Sequence, residues 1–340
     1  MTDNSIEVLI TLPFKDSQLA ALEKISPRIK ITLRQGRRGE EISIEDWAKA
    51  EVLYTDRILP TLNQAPLLRW IQFHFAGIDF VSDAPILQKP DLIATTLSGA
   101  AAPQIGEYAL MMMLALGHRL PDLFANQQKA EWPRDRWERF SPVEIRNSTV
   151  GLVGYGSINR EIARLLQPLG VSILAAKRDA MHPHDSGYTP KGMGDPEGDL
   201  FNRLYPIQAL KSMVKECDFV SVAVPLSEAT RGLIGAEELA VFKPTAFLVD
   251  FSRGGVTDQV ALIAALQDKK LAGAALDVFP EEPLPATSPL WRMSNVIITP
   301  HIGGVSPVYM DRAAELFAVN LERYISGEPL HNRFEMDRGY

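Results

Sequence analysis

The sequence predicts an α/β protein of two domains, and three observations carry that prediction. The chain has 340 residues, about twice the ordinary size of one domain. Apolar runs of strand length alternate with helix-period stretches from one end to the other, the pattern of parallel sheets covered by helices. A tight glycine turn, Gly154-Tyr155-Gly156, stands between a strand and a helix at the head of the second alternating series.

The first series places strands at Glu7 to Leu12, Lys30 to Leu33, Val52 to Tyr54, Trp70 to Phe73 and Leu92 to Ala94, with helical stretches such as Ser17 to Lys24 between them. These runs are short and β-branched or aromatic, as buried parallel strands are. From Gln104 to Gly117 a helix is apolar nearly all round and continues beyond Pro121 toward Trp132, so it must be covered on most sides by protein. The second series places strands at Val150 to Val153, Ser172 to Ala176, Phe219 to Val224, Ala246 to Asp250, Ala272 to Asp277 and Val296 to Ile298, which suits a doubly wound sheet. Met181 to Tyr205, rich in Gly, Pro and Asp with little apolar periodicity, reads as an exposed loop. A last amphipathic helix runs from Pro307 to Ile325, with Gly327 as its stop.

Composition narrows the function. Hydrophobic residues make up 46% and charged residues 23%, which excludes a disordered chain or a disulfide scaffold. A net charge of −7 gives no broad positive field for nucleic acid or anionic lipid. The longest apolar run, Tyr108 to Leu116, is half a membrane span, and the N-terminus lacks the pattern of a signal peptide, so a cytoplasmic protein without membrane or nucleic-acid partners is expected. The single cysteine, Cys217, stands before an apolar run with no histidine near it in sequence, a poor setting for a nucleophile. His182 and His184 flank a proline without further ligands, so no metal site is expected.

In Thr149 to Arg160, Gly154 permits a sharp turn and Gly156 lets backbone amides approach a pyrophosphate at the helix start. Asn159 stands where the fingerprint has its third glycine, leaving less room between helix and strand. At the end of the next strand an NAD site would carry a carboxylate, whereas this chain has Lys177 and Arg178, which favour the 2′-phosphate of NADP over NAD. Three later strands end in polar residues: Asp250-Phe251-Ser252-Arg253-Gly254-Gly255, Leu276-Asp277 through Glu282-Pro283, and Pro300-His301-Ile302-Gly303-Gly304. Ligands of open α/β sheets bind at strand C-termini, so Arg253, Asp277, Glu282 and His301 should converge there. A guanidinium grips a carboxylate with two prongs, and a carboxylate beside an imidazole favours its charged form. His74, Phe75, Trp132, Trp137 and Trp291 read first as core residues and second as walls of a pocket.

In its glycine turn, Ser-Arg-Gly-Gly segment, Ala-Leu-Asp-Val-Phe segment with Glu-Pro, and Pro-His-Ile-Gly-Gly segment, the sequence resembles the D-isomer-specific 2-hydroxyacid dehydrogenases, specifically the glyoxylate and hydroxypyruvate reductase-like members. The resemblance spans nearly the whole chain. It implies His301 as acid/base, Glu282 as its orienting carboxylate and Arg253 as substrate clamp, with Ala76 and Gly77 binding the substrate carboxylate through backbone amides alongside Arg253 and His301. It implies cofactor contacts from Gly154, Tyr155, Gly156, Ser157, Ile158, Lys177, Arg178, Val224, Pro225, Phe251, Ser252, Asp277, Gly303 and Gly304, with Asp277 on the nicotinamide carboxamide. It also implies a Rossmann NAD(P)-binding domain, residues 102–301, inserted in a flavodoxin-like substrate domain of residues 1–101 and 302–335, and a homodimer formed through helices such as Gln104 to Gly117.

The expected function is NAD(P)-dependent interconversion of a small 2-oxo acid and a D-2-hydroxy acid. Two rivals use the same fold: a phosphite-type dehydrogenase and a non-enzymatic NAD(P)-sensing corepressor-like scaffold. A formate enzyme of this superfamily would carry glutamine at the position of Glu282, and a scaffold need not keep Arg253, Glu282 and His301 together.

Overall fold

A computed structural model describes residues 5–36 and 38–335. Five strands come first: β1 (Ile6–Ile10), β2 (Ile29–Leu33), β3 (Val52–Thr55), β4 (Trp70–Phe73) and β5 (Ile93–Thr95), with helices α1 (Asp16–Glu23) and α2 (Ile44–Lys49) between them. Helices α3 (Ala102–Gly117), α4 (Leu120–Gln128) and α5 (Arg136–Arg139) follow. The second series is β6 (Thr149–Val153), α6 (Ser157–Leu166), β7 (Ser172–Lys177), β8 (Arg203–Pro206), α7 (Leu210–Val214), β9 (Phe219–Val222), α8 (Ala236–Leu239), β10 (Phe247–Asp250), α9 (Gln259–Gln267), β11 (Gly273–Leu276) and β12 (Val296–Ile298). The long helix α10 (Tyr309–Ser326) comes last and stops at Gly327, whose left-handed φ of 69° needs no side chain.

The chain divides into two compact units, one of residues 1–101 with 306–340 and one of residues 102–305. The first holds a five-stranded parallel sheet in the order β2-β1-β3-β4-β5. Its strands β3 and β4 are buried at every residue, which is why both are rich in apolar side chains, with Thr55 and Gln72 as the polar exceptions. One face packs on α10, where Phe317 lies against Tyr54 at 4.8 Å and Trp70 at 5.4 Å between ring centres. The other face buries Trp47, Leu53, Ile71 and Phe73.

The second unit holds a seven-stranded parallel sheet in the order β12-β11-β10-β9-β6-β7-β8. The order reverses at β6, where the glycine turn leaves the sheet, the place at which such sheets bind ligands. The sequence expectation of six strands is one short: β8 lies at the end of the stretch read as loop. It is an edge strand in which Tyr205 alone is buried, so it has no apolar run to betray it. The second crossing between units falls after Val305 and not at residue 301, because Gly303 N donates to Asp277 and Gly304 O accepts from Gln104, which ties this turn to the second unit.

Trp291, 51% exposed, and Phe75, 37% exposed, correct the sequence reading of them as core residues, and so do Trp132 and Trp137, which are 85% and 77% exposed. They stand in and beside short α5, where Arg136 covers the Trp137 ring at 4.6 Å. Met111, Leu114, Leu120, Leu123 and Phe124 of α3 and α4 are also exposed, although the rest of α3 is largely buried. Among the described residues no helix is long and apolar enough to cross a membrane.

Candidate active site

The glycine turn follows from three short-range facts. Gly154 has a φ of +86°, and a Cβ there would stand 2.5 Å from Val224 Cγ1 and 2.7 Å from Ala223 O, so only glycine fits. A Cβ on Gly156, by contrast, meets nothing within 4 Å. No side chain caps α6, so the amides of its first turn face that open space. Open backbone and an uncapped helix start together suit a pyrophosphate, and the residues present therefore fit a dinucleotide.

Asn159 does more than occupy the third glycine position. Fully buried, it donates through Nδ2 to Val153 O at 3.0 Å and Gly154 O at 2.9 Å, and its Oδ1 accepts from Ser221 Oγ at 2.8 Å. The side chain stitches the turn to β6 and β9. At the end of β7, Lys177 Nζ donates to the carbonyls of His182 at 2.7 Å and His184 at 3.1 Å. Burial, with Arg160 close by, lowers its pKa. Two of its three donors are therefore committed to the following segment, a fact the bare Lys177-Arg178 pair did not reveal. His182 itself pairs with Asp179 at 2.8 Å, and among the described residues no group of three or more His, Cys, Asp or Glu side chains could hold a metal ion.

His301 is reached on a left-handed backbone, φ 54°, an unfavourable setting for a residue with a Cβ. Asp277, 2% exposed at the end of β11, holds that turn: Oδ1 accepts from Ile302 N at 2.9 Å and Oδ2 from Gly303 N at 2.8 Å. Thr299 Oγ1 also donates to Asp277 at 2.6 Å, which obliges Tyr108 to donate its own hydroxyl hydrogen to Thr299, 2.6 Å away. Burial raises the pKa of Tyr108 and keeps it a donor. Through these contacts the Asp277 carboxylate shapes the histidine loop.

Glu282 Oε2 lies 2.8 Å from His301 Nδ1, and Glu282 Oε1 accepts from Phe279 N at 2.9 Å. The carboxylate is thus fixed on one side and aimed at the imidazole on the other. With Nδ1 so occupied, Nε2 is the nitrogen left to carry a transferable proton. The Arg253 loop abuts this one so closely that a Cβ on Gly254 would stand 1.9 Å from Phe279 O. Arg253 Nη1 donates to Ser252 O at 2.9 Å. Asp250 organises the loop from below: buried, with its pKa raised by that burial, it accepts from Ser252 Oγ at 2.6 Å, Ser252 N at 3.0 Å and Thr257 Oγ1 at 2.6 Å.

Of the remaining expected cofactor contacts, Phe251 and Ser252 are buried, Phe251 with its ring edge-to-face with Tyr108. Pro225 O accepts from Thr230 Oγ1 at 2.6 Å, which closes the turn after Val224. Ala76 and Gly77 belong to the first unit, after β4, where the Leu97 N to Phe75 O bond of 3.1 Å fixes the start of their loop. Sequence reading missed Asp250, Tyr108 and Thr299. An aspartate closing a buried strand three residues before a candidate guanidinium could have flagged the first; Tyr108 and Thr299 are far apart in sequence and carry no local signal.

A carboxylate-backed imidazole, an arginine and a glycine turn at the C-terminal edge of one parallel sheet define a class: oxidoreductases that bind a nicotinamide dinucleotide there and move a proton alongside a hydride. The model of the D-isomer specific 2-hydroxyacid dehydrogenase NAD binding domain matches residues 110–303. A (S)-sulfolactate dehydrogenase of Chromohalobacter salexigens is 35% identical over 77% of this chain and 79% of its own length. A glyoxylate reductase of Thermofilum pendens is 32% identical over 81% and 78% respectively. A D-3-phosphoglycerate dehydrogenase of Methanocaldococcus jannaschii is 28% identical over 97% of this chain, which spans only 60% of that longer protein. Among solved structures, a D-isomer specific 2-hydroxyacid dehydrogenase from Xanthobacter autotrophicus Py2, in complex with NADPH and MES, superimposes with a TM-score of 0.80 at 26% identity, covering 99% of this chain and 100% of that one. The chain belongs to the D-isomer-specific 2-hydroxyacid dehydrogenase family and is an NAD(P)-dependent oxidoreductase.

Proposed function

We propose that the protein reduces a small 2-oxo acid of the glyoxylate and hydroxypyruvate class to its D-2-hydroxy acid, as a homodimer and with NADP preferred to NAD. The observation that carries the reading is the 2.8 Å contact of Glu282 Oε2 with His301 Nδ1. A carboxylate at that nitrogen stabilises the imidazolium, so His301 holds a proton on Nε2 for the alkoxide that develops when the keto group is reduced. Arg253 grips the substrate carboxylate with two prongs. Asp277 keeps the histidine turn in its left-handed form, and Asp250 keeps the arginine loop in place. Gly154, Gly156, Ser157 and Ile158 would hold the dinucleotide pyrophosphate, and when bound the reduced nicotinamide supplies the hydride. The NADP preference rests on the Lys177-Arg178 pair at the end of β7, where an NAD site would carry a carboxylate. The dimer rests on the exposed apolar face of α3 and α4, around Met111, Leu114, Leu123 and Phe124.

The test is cofactor oxidation with glyoxylate, hydroxypyruvate and phenylpyruvate, each with NADPH and NADH. His301→Ala should lower kcat at least about a hundredfold while dinucleotide binding persists. Absence of turnover with every 2-oxo acid, or near wild-type kcat in His301→Ala, would overturn the reading.

A further inference from the structure

The segment after β7 was expected to be an exposed loop, and its middle is not. Asp195 is 3% exposed and Arg160, on the first turn of α6, is 1% exposed. The Asp195 carboxylate accepts from Tyr155 OH at 2.6 Å, Gly198 N at 3.0 Å, Asp199 N at 3.1 Å and Leu200 N at 3.1 Å. Arg160 donates to Asp195 O, to Pro183 O and, through Nε, to Tyr155 O at 3.2 Å; the same Nε lies 3.3 Å from Asp185 Oδ2. Its guanidinium covers the Tyr155 ring at 4.6 Å, and Phe201 meets that ring edge-on at 5.3 Å. Gly194 N donates to Glu161 Oε2 at 2.7 Å, a second fastening to α6.

These contacts converge on the residue between the two glycines of the nucleotide turn. Glycines on both sides give that turn the largest backbone freedom to lose when it orders around a ligand, and Tyr155 is the one side chain between them by which it can be gripped. The segment from Asp179 to Asn202 grips it directly by hydroxyl, through Asp195, and by ring edge, through Phe201, while Arg160 of α6, itself fastened to the segment at Asp195 O and Pro183 O, holds the ring face and the main-chain carbonyl. We propose that Asp195 is a positioning residue for the dinucleotide, the anchor through which this segment holds the glycine turn in its binding conformation before the ligand arrives. Preorganisation of this kind strengthens binding by lowering the ordering cost. Because the turn faces the pyrophosphate, which NAD and NADP share, the benefit is the same for both.

The inference rests on the dinucleotide site and not on the proposed substrate or on His301, so binding alone tests it. NADH and NADPH are titrated by fluorescence into wild-type protein, Asp195→Asn and Tyr155→Phe, with a thermal melt of each without dinucleotide. Asp195→Asn should raise both Kd values by about tenfold and by the same factor, with kcat at saturating cofactor within about twofold of wild type. Tyr155→Phe should act in the same direction, and the double variant should bind no more weakly than Asp195→Asn alone, since both cut one connection. Should Asp195→Asn not fold, Tyr155→Phe, which loses a single hydroxyl, decides the matter. Kd values within about twofold of wild type in folded variants would reduce the segment to a structural role and overturn the proposal. A loss confined to NADPH would also overturn it, by assigning the segment to the 2′-phosphate. A failure of 2-oxo acid turnover in wild-type protein would touch the proposed substrate alone.

Discussion

Asn159→Gly restores the third glycine of the dinucleotide fingerprint, and we expect it to damage the protein. The side chain makes hydrogen bonds at 3.0, 2.9 and 2.8 Å to Val153 O, Gly154 O and Ser221 Oγ. Each is worth about 1 kcal/mol net, and glycine in a helix interior costs a few tenths more than asparagine, so the substitution should cost about 3 to 4 kcal/mol. Ser221, fully buried, loses its acceptor in the same stroke, which places the cost at the upper end. Urea unfolding followed by circular dichroism measures it, with Asn159→Ala as the companion that removes the hydrogen bonds without adding backbone freedom. Glycine and alanine variants should fall together, well below wild type. A glycine variant as stable as wild type would refute the reasoning, because it would mean that the turn stands without the side chain that ties it to β6 and β9.

Arg253→Lys should restore little of the activity lost in Arg253→Ala, because an ammonium cannot offer two parallel donors to a carboxylate; steady-state kinetics with a 2-oxo acid checks it, and full rescue would contradict the clamp. His74, buried and sharing a hydrogen bond with Tyr54 OH at 2.7 Å, has its pKa lowered by burial from 6.5 to about 4, against a smaller upward pull from Asp56. Above pH 6.5 both folded and unfolded forms are neutral at this residue, while between 6.5 and about 4 only the unfolded chain takes up the proton, so stability falls as pH falls through that window. The loss attributable to His74 levels off at about 3 kcal/mol, and His74→Asn should flatten that part of the stability profile. Cys217, buried, donating to Met213 O at 3.2 Å and with its pKa pushed up to about 12, should not react with thiol reagents in the folded protein and should do so once urea unfolds it.

The elements that sequence reading recovered are those whose signal is local. Strand β12 is an unbroken apolar run and β4 is apolar but for Gln72, both match their expected bounds, and Gly154 declares its turn because nothing else fits the backbone there. Arg253, Glu282 and His301 follow the ends of β10, β11 and β12, a placement legible in the sequence, although spacing alone could not reveal that Glu282 meets the imidazole at Nδ1. What escaped is polar and long-range. Tyr155 and Asp195 are separated by 40 positions, Tyr108 and Thr299 by 191, and each pair is a single hydrogen bond with no periodicity to announce it. Trp132 and Trp137 misled for the opposite reason, since residue type argues for burial and position alone decides against it.

The helix α10 returns to the first unit after the whole of the second has been written into the chain. Its Ala314, Phe317 and Leu321 complete the packing over Tyr54 and Trp70, and Asn320 donates to Gln72 at 3.1 Å. During synthesis on a ribosome, therefore, the sheet that emerges first is the last to be covered. Residues 102–305 are all synthesised while one face of β1, β3 and β4 still waits for its helix, so a chain released short of Tyr309 would carry an open, aggregation-prone aromatic surface on its first unit.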